Sequence, residues 1–424
     1  MLDRELIRKQ PDLVRLGIVR KKGDASLVDQ FLSLDAEFRR LATETGNAQA
    51  ESNAIAKSIG MLMGQKKFEE AEEAKAKASS LKGRVAELEA QEREAEAKLR
   101  TLELEFPNIP HESVPEGADE NDNPVVRLHG EQAKFEFEPK PHWDIADQHK
   151  MIDLARGAKI TGSGWVVYTG IGAKLQRALF NFMVDFQTEQ NGYDEIYPPF
   201  VVNRESLIGT GNLPKFEDDL YKTQDDFFLI PTAEVPVTNL YRDEILEASQ
   251  LPIRHAAFSG CFRREAGAAG KDTRGLLRIH QFDKVEMVKF VEPAAAYDEL
   301  ESMVVDAESI LQALGLHYRV IELCTGDMGP KATKIYDVEV WAPGVGKYLE
   351  VSSVGNFGDY QSRRANIRYR PEAGAKPEFV HILNGSGVAV PRLMAALLET
   401  YQQADGSVQI PEVLRPYVGR EKIG

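Results

Sequence analysis

Two cysteines in 424 residues, Cys261 and Cys324, are too few for a disulfide framework. Neither has a Cys or His partner at metal-ligand spacing, so no structural zinc is expected. No apolar run approaches the ~20 residues that a membrane span needs. The first residues, MLDRELIRKQPDLVRLGIVRKKG, mix charges and lack the apolar core of a secretory signal. A cytoplasmic protein with no membrane partner is the expectation. The one glycine-rich run near the C-terminus, Asn384-Gly385-Ser386-Gly387, matches no GxGxxG rule and has no Lys-Ser/Thr pair, so it is neither a dinucleotide fingerprint nor a P-loop. Positive charge is short as well. The net of −15 argues against a general nucleic-acid binder. Residues 1–110 are near neutral, with 19 basic and 20 acidic side chains, so the deficit sits in the rest. Nucleic-acid contact, if present, must be focal. Residues 1–22 hold seven basic against three acidic side chains, and 361–370 hold four arginines and no acid.

The length allows two or three domains. From Phe31 to Phe106 apolar and small residues recur in steps of three and four, interrupted at MGQKK (63–67). That pattern predicts two helices forming an antiparallel coiled-coil hairpin. A 32-residue helix is about 48 Å long, so the arm projects from any compact body. Alone, such a hairpin is a dimerisation or spacer coil. Pro107 and Pro110 end the second helix, and the polar run to Pro124 is a connection.

Beyond it, residues 129–154 predict a short strand and a helix, and Gly172–Gln190 an amphipathic helix. The next run, NGYDEIYPPFVV, predicts a turn and a strand broken by Pro198 and Pro199. A strand at Phe227–Ile230 delivers Thr232, Ala233 and Glu234 before a helix. Thr232 caps that helix, or its hydroxyl and the Glu234 carboxylate receive an ammonium group. Two runs, Phe258–Phe262 and Ile279–Phe290, read as strands around a Gly/Ala/Arg-rich loop. The second alternates, with one packed face and one open to a ligand. Arg263, Glu265, Arg274, Arg278 and Glu286 at its edges form ordinary surface ion pairs, or they grip phosphate, carboxylate and amino groups. A helix follows at about 294–314, then strands near 318–323 and 335–341. Tyr348–Ser353 offers Glu350, Ser352 and Ser353 as hard oxygen donors. The C-terminal part reads as strand, Gly-rich turn over Asn384–Gly387, then a helix opening at Arg392.

The run CFRREAG…DTRGLLRIHQFDKVEMV resembles motif 2 of the class II aminoacyl-tRNA synthetases, in its seryl-tRNA synthetase version. In the same order along the chain, TAEVPVTN is similar to that family's TxE loop, YLEVSS to its metal-binding segment, and the Arg392 helix to motif 3. The helix and strand over 172–202 resemble motif 1. The class I signals HIGH and KMSKS are missing. Two departures stand out: Pro391 where the family has Gly, and Gly164-Trp165 where it has Arg-Phe.

The resemblance implies an α+β fold with an antiparallel β-sheet flanked by helices, preceded by a long coiled-coil arm. Residues 1–110 would be the tRNA-binding domain, with the arm at about 27–106, and 111–424 the catalytic domain. It implies an ATP-dependent ligase that activates L-serine and charges tRNA(Ser), and tRNA(Sec) where that exists, as a homodimer with Mg²⁺. Catalysis would fall to Arg263, Glu265 and Arg392. Serine would meet Thr232, Ala233, Glu234, Arg263, Glu286, Asn384 and Ser386. ATP would meet Arg263, Arg264, Glu265, Arg274, Phe282, Glu350, Val351, Ser352, Ser353 and Arg392, and the metal Glu350 and Ser353. The alternatives are an amino acid:carrier-protein ligase of related fold, which lacks the arm, and a non-catalytic relative, which would have lost Arg263, Glu350 or Arg392.

Overall fold

The computed structural model describes residues 1–266 and 274–424, so part of the loop after Phe262 lies outside the described residues. Contacts divide the chain into two units: Leu2–Val19 with Gly23–Phe106, and Met1 and Arg20–Lys22 with Pro107–Gly424. In the first, short helices α1 (Arg4–Lys9) and α2 (Pro11–Arg20) precede two long ones, α3 (Ser26–Gly64) and α4 (Phe68–Glu105). The reversal falls on the expected break, where Lys66 takes a left-handed φ of 62°. Phe31, Leu41, Thr45 and Ala48 of α3 and Ala71, Leu88, Ala95 and Leu99 of α4 are buried, all at heptad positions. At the base of the hairpin the Phe31 and Phe106 rings meet edge to face at 5.9 Å. Toward the tip, Ile55, Ile59 and Leu62 are only half-buried.

Asp35 lies off the heptad seam and is nonetheless buried, bonded to Arg8 at 2.5 Å and Arg39 at 2.9 Å. Burial raises its pKa, but the two arginines outweigh burial and hold the carboxyl below its usual range. Arg4–Glu103, Lys9–Glu5 and Arg15 with Asp12 and Asp29 are ion pairs too. Four of the seven basic side chains of residues 1–22 are thus paired within this unit.

The second unit is built on an eight-stranded sheet. Its strands are β1 (Val125–His129), β2 (Asp194–Ile196), β3 (Ile253–Phe262), β4 (Gln281–Val291), β5 (Tyr318–Glu322), β6 (Lys334–Ala342), β7 (Lys347–Asn356) and β8 (His381–Ala389). The order is β1-β5-β6-β7-β8-β4-β3-β2, antiparallel except for β2 against β3. Helices α5 (His142–Gln148), α6 (Gly170–Glu189), α7 (Glu234–Thr238), α8 (Ala296–Ala313), α9 (Tyr360–Ala365) and α10 (Val390–Thr400) complete the parts used below. Within 129–154 the expected helix forms as α5 and a short strand forms at Ile152–Asp153, after the helix rather than before it, while β1 ends at His129. Beneath α6, α8 and α10 lies the main core, which takes Val285, Met287 and Val291 from β4, while Val288 and Phe290 join a second core with Ala257, Ile367 and Ile382.

Strand β4 has the two faces expected of it. Strict alternation puts Phe282, Lys284 and Glu286 on the face that lines two adjoining cavities, opposite Val285 and Met287 in the core, although from Lys284 to Val291 every residue is shielded from solvent. Lys289, fully buried, pairs with Glu299 at 2.9 Å. One expectation needs correction: Asn384–Gly387 is not a turn, since it runs inside β8. A Cβ on Gly385 would fall 2.8 Å from Val354 Cα on β7, so glycine permits the close strand approach there. A bulge between Ser386 and Ala389 then re-aims the chain into α10.

Leu99→Ala, at a fully buried seam position, should cost about 2–4 kcal/mol of stability, read by chemical denaturation of the α3–α4 helical signal. Burial holds His255 and His381 below the ordinary imidazole value, against weaker opposite pulls from Asp194 and Asp359. An imidazole with a depressed folded pKa adds stability above its unfolded value, about 6.5, and loses it as pH falls further. Stability should therefore fall on acidification from about pH 7 to 5, with a shallower slope in the His255→Gln/His381→Gln double variant.

Candidate active site

A cleft of about 550 Å³ and an adjoining cavity of about 230 Å³ share Thr232, Glu234, Arg263, Lys284, Lys331, Glu350 and Ser386 in their walls. The first volume lies within the range of small-molecule sites.

One side of the cleft is built from the ends of β3 and β4. Arg263 follows β3 and its amide donates to the His280 carbonyl at 2.9 Å. Its guanidinium lies 5.0 Å from the centre of the Phe282 ring, and Nε donates to the Pro231 carbonyl at 3.3 Å. Glu265 sits in the left-handed region at φ 53°, a strained choice for a residue with a side chain, and is ion-paired with Arg278. Arg392 also lines the cleft, from the first turn of α10 after Pro391. Its Nε donates to the Leu277 carbonyl at 3.1 Å, and Nη1 to the carbonyl of Glu350 at 2.8 Å and its carboxylate at 3.3 Å.

The smaller cavity has polar and apolar walls, and four of its charged side chains, Lys284, Glu286, Lys331 and Glu234, are paired. The Thr232 hydroxyl donates to Glu286 Oε2 at 3.1 Å and accepts from Lys284 Nζ at 2.9 Å, and Lys284 is in ionic contact with Glu286. It also accepts the Glu234 amide at 3.2 Å, so it serves the start of α7 as well. Burial pushes the Glu286 carboxyl upward, while Lys284 pulls it back. Glu234 takes Lys331 at 3.0 Å and Gln361 Nε2 at 2.6 Å, and Asn384 donates to Gln361 Oε1 at 3.2 Å. The Ser352 hydroxyl donates to the Ser386 carbonyl.

Across the β6–β7 pair Asp337 stands opposite Ser353, and Glu350 stands opposite Glu339 beyond a register shift. Asp337 Oδ1 is closed off from solvent without a hydrogen-bond partner. Burial and the Glu350 charge push its carboxyl well above the usual range, against the Ser353 hydroxyl bond. Two carboxylates and a hydroxyl are hard oxygen donors, and the orphaned oxygen is what a divalent cation or its water would satisfy. Among the described residues no group of three or more His, Cys, Asp or Glu is placed to hold a metal.

Of the residues singled out in the sequence, Arg263, Glu265, Phe282, Glu350, Val351 and Arg392 line the cleft, and Glu286, Asn384 and Ser353 the cavity. Others stand apart. Ala233 is packed in the second core, Ser352 is buried between strands, and Arg264 is exposed. Arg274 lies 4.5 Å over the Trp143 ring, outside both cavities. Gly164, at φ 79°, leaves room for His280, on which Trp165 stacks at 5.7 Å. The arginine run 361–370 is no free basic face. Arg364 is buried, with Nη2 bonded to the Tyr360 hydroxyl at 2.7 Å, and Arg363 is paired with Asp359. Sequence reasoning missed Lys331, Gln361 and Asp337. Only Asp337 had a usable signal, since β6 alternates strictly from Tyr336 to Val340.

Cys261 lies fully buried opposite Phe282, and burial pushes its thiol upward. Cys324 is buried too. Thiol reagents should therefore titrate close to no cysteine in the native protein and both after denaturation. Rapid native labelling of Cys261 would contradict this placement.

Residues 215–401 match the family model described as tRNA synthetase class II core domain (G, H, P, S and T). The fold and cleft thus define a class II aminoacyl-tRNA synthetase catalytic unit. Residues 1–110 match the seryl-tRNA synthetase N-terminal domain. The chain is 51% identical to the serine–tRNA ligase of Carboxydothermus hydrogenoformans, covering 100% of this chain and 99% of that one. It is 54% identical to that of Caldanaerobacter subterraneus subsp. tengcongensis, covering 99% and 98%. The crystal structure of seryl-tRNA synthetase from Pyrococcus horikoshii complexed with ATP superposes with a TM-score of 0.93 at 38% identity, covering 100% and 99%. The chain belongs to the seryl-tRNA synthetase family, whose members are ATP-dependent ligases.

Proposed function

We propose that the cleft activates L-serine with ATP to seryl-adenylate and passes the seryl group to the 3′ end of tRNA(Ser). The observation that carries this reading is the convergence of Arg263, Glu265, Phe282, Glu350 and Arg392 on one cleft joined to a small polar cavity. In the first step a serine carboxylate oxygen attacks the α-phosphorus, the bond to the β-phosphate oxygen breaks, and pyrophosphate leaves. The carboxylate is already ionised, so no base is needed, and positioning and charge stabilisation dominate. Arg263 bridges the serine carboxylate and α-phosphate. Its neighbour Phe282 stacks on adenine, Glu265 accepts the adenine amino group, and Arg392 clamps the terminal phosphates. Glu350 and Ser353, with Asp337 behind them, suit Mg²⁺, which when bound would neutralise phosphate charge.

Thr232 and Glu286 receive the serine ammonium. Asn384 and Ser386 lie at the hydroxyl end, and Glu234 orders that end through Gln361 and Asn384. Because these groups are buried, an amino acid without a hydroxyl leaves them unpaired, which disfavours alanine strongly. In the second step the terminal ribose hydroxyl attacks the acyl carbon, the bond from that carbon to the phosphate oxygen breaks, and AMP leaves, its phosphate taking up the hydroxyl proton. Residues 1–110 act as the tRNA-binding domain, with the hairpin at about 27–106 as the arm, and 111–424 as the catalytic domain. The match of residues 1–110 to the family's N-terminal model supports this division. A homodimer is the working form the family implies.

ATP–pyrophosphate exchange with each amino acid tests the reading. Serine alone should drive exchange, and Arg392→Ala should lower its kcat by on the order of 10²–10³. A chain lacking residues 31–106 should keep exchange and lose tRNA charging. Exchange driven by another amino acid, or by none, would overturn the serine assignment.

A further inference from the structure

We infer that the buried His142–Glu399 pair is a positioning device for Arg392 and for the segment that leaves the loop after β3, an inference that rests on the function proposed above. Both side chains are fully buried, and neither takes part in the chemistry described so far. His142 Nε2 accepts the Leu276 amide at 3.1 Å, so the ring proton sits on Nδ1 and is donated to Glu399 Oε1 at 2.7 Å. The His142 amide donates to the same oxygen at 2.8 Å. Glu399 Oε2 accepts the amides of Gly344 at 2.8 Å and Val345 at 3.1 Å. Four donors thus hold one carboxylate, which makes it a rigid anchor.

The geometry closes a ring. Leu277, next to the residue held by His142, gives its carbonyl to Arg392 Nε at 3.1 Å. Arg392 and Glu399 lie seven residues apart on α10, two turns along one face of the helix. The ring therefore runs Arg392, Leu277, Leu276, His142, Glu399 and back along the helix. Gly275 completes the fit. At φ 67° it takes a backbone shape that favours glycine, and a Cβ there would lie 2.4 Å from His142 Nε2. Leu276 and Leu277 also line the cleft, so a shift of this segment moves a cleft wall and the Arg392 fork together. None of the atoms in the ring belongs to the polar cavity around Thr232 and Glu286.

The consequence is a split between the two substrates. His142→Met roughly keeps the volume and removes both ring nitrogens. Its ATP KM in pyrophosphate exchange should rise, and its kcat fall, by on the order of tenfold to a hundredfold. Serine KM should move by less than about twofold, as expected when an interaction serves one part of the site. His142→Gln, which offers one donor and one acceptor, should recover most of the loss. Glu399→Gln, which leaves the ring in place, should give the same split. Thermal unfolding accompanies each variant. Should His142→Met fail to fold, Glu399→Gln carries the test.

A folded variant with unchanged ATP KM and kcat overturns the inference. Equal changes in both KM values, or a His142→Gln no better than His142→Met, overturn it as well. Wild-type exchange is measured first. No serine-dependent exchange there sinks the functional reading, whereas normal exchange with no substrate split sinks only the positioning role.

Discussion

A strand shows only every second side chain to one side, and the candidate site hangs on that constraint in β4. Phe282, Lys284 and Glu286 share a face because they are two residues apart, and β4 lies inside the sheet, with β8 on one side and β3 on the other. The neighbours supply the rest. Arg263 leaves the end of β3, and Ser386 sits opposite Glu286 on β8. The opposite parity of β4 is spent on the main core through Val285 and Met287. A slip of one residue would send every functional side chain of this strand into the helices. Apolar packing on one face thereby sets the aim of the polar groups on the other.

Burying so much charge demands partners, and the cavity supplies them in pairs: Lys284 with Glu286, Lys331 with Glu234. A buried ion pair contributes little net stability, but losing one partner is expensive. The arrangement therefore favours a pocket of defined shape over a stable one. Asp337, on β6, stands outside these pairs, with an oxygen closed from solvent and no hydrogen-bond partner. Unsatisfied buried oxygens are uncommon, and this one lies beside the two groups best suited to a hard cation.

Local pattern made much of the molecule legible. The heptads of α3 and α4 and the break between them follow from side chains a few residues apart. The strands around the Arg263 loop follow from alternation and turn residues. Arg263, Glu265, Phe282, Glu286, Glu350 and Arg392 stood out because arginine forks, carboxylates and an aromatic at strand and helix ends recur along the chain. Where reading by neighbours failed, the cause was contact across long separations. The run Asn384–Gly387 looked like a turn because glycine usually marks one. Its glycine instead makes room for Val354, about thirty residues away in the chain. Four arginines between 361 and 370 looked like a basic face, yet Arg364 turns inward to the Tyr360 hydroxyl and to carbonyls of Ile208 and Leu213.

The sequence by itself determined the kinds of element, the antiparallel hairpin arm and the residue types from which phosphate and ammonium recognition is made, because these depend on periodicity and side-chain chemistry. Tertiary structure alone decided which charges neutralise one another. Lys331 reaches Glu234, Gln361 reaches the same carboxylate, and Asp337 comes to face Ser353, although nothing local marks any of these meetings. It also decided that His142 and Glu399, 257 residues apart, lock the segment that holds Arg392. Such contacts arise from how strands and helices stack in space, and spacing along the chain carries no record of that distance.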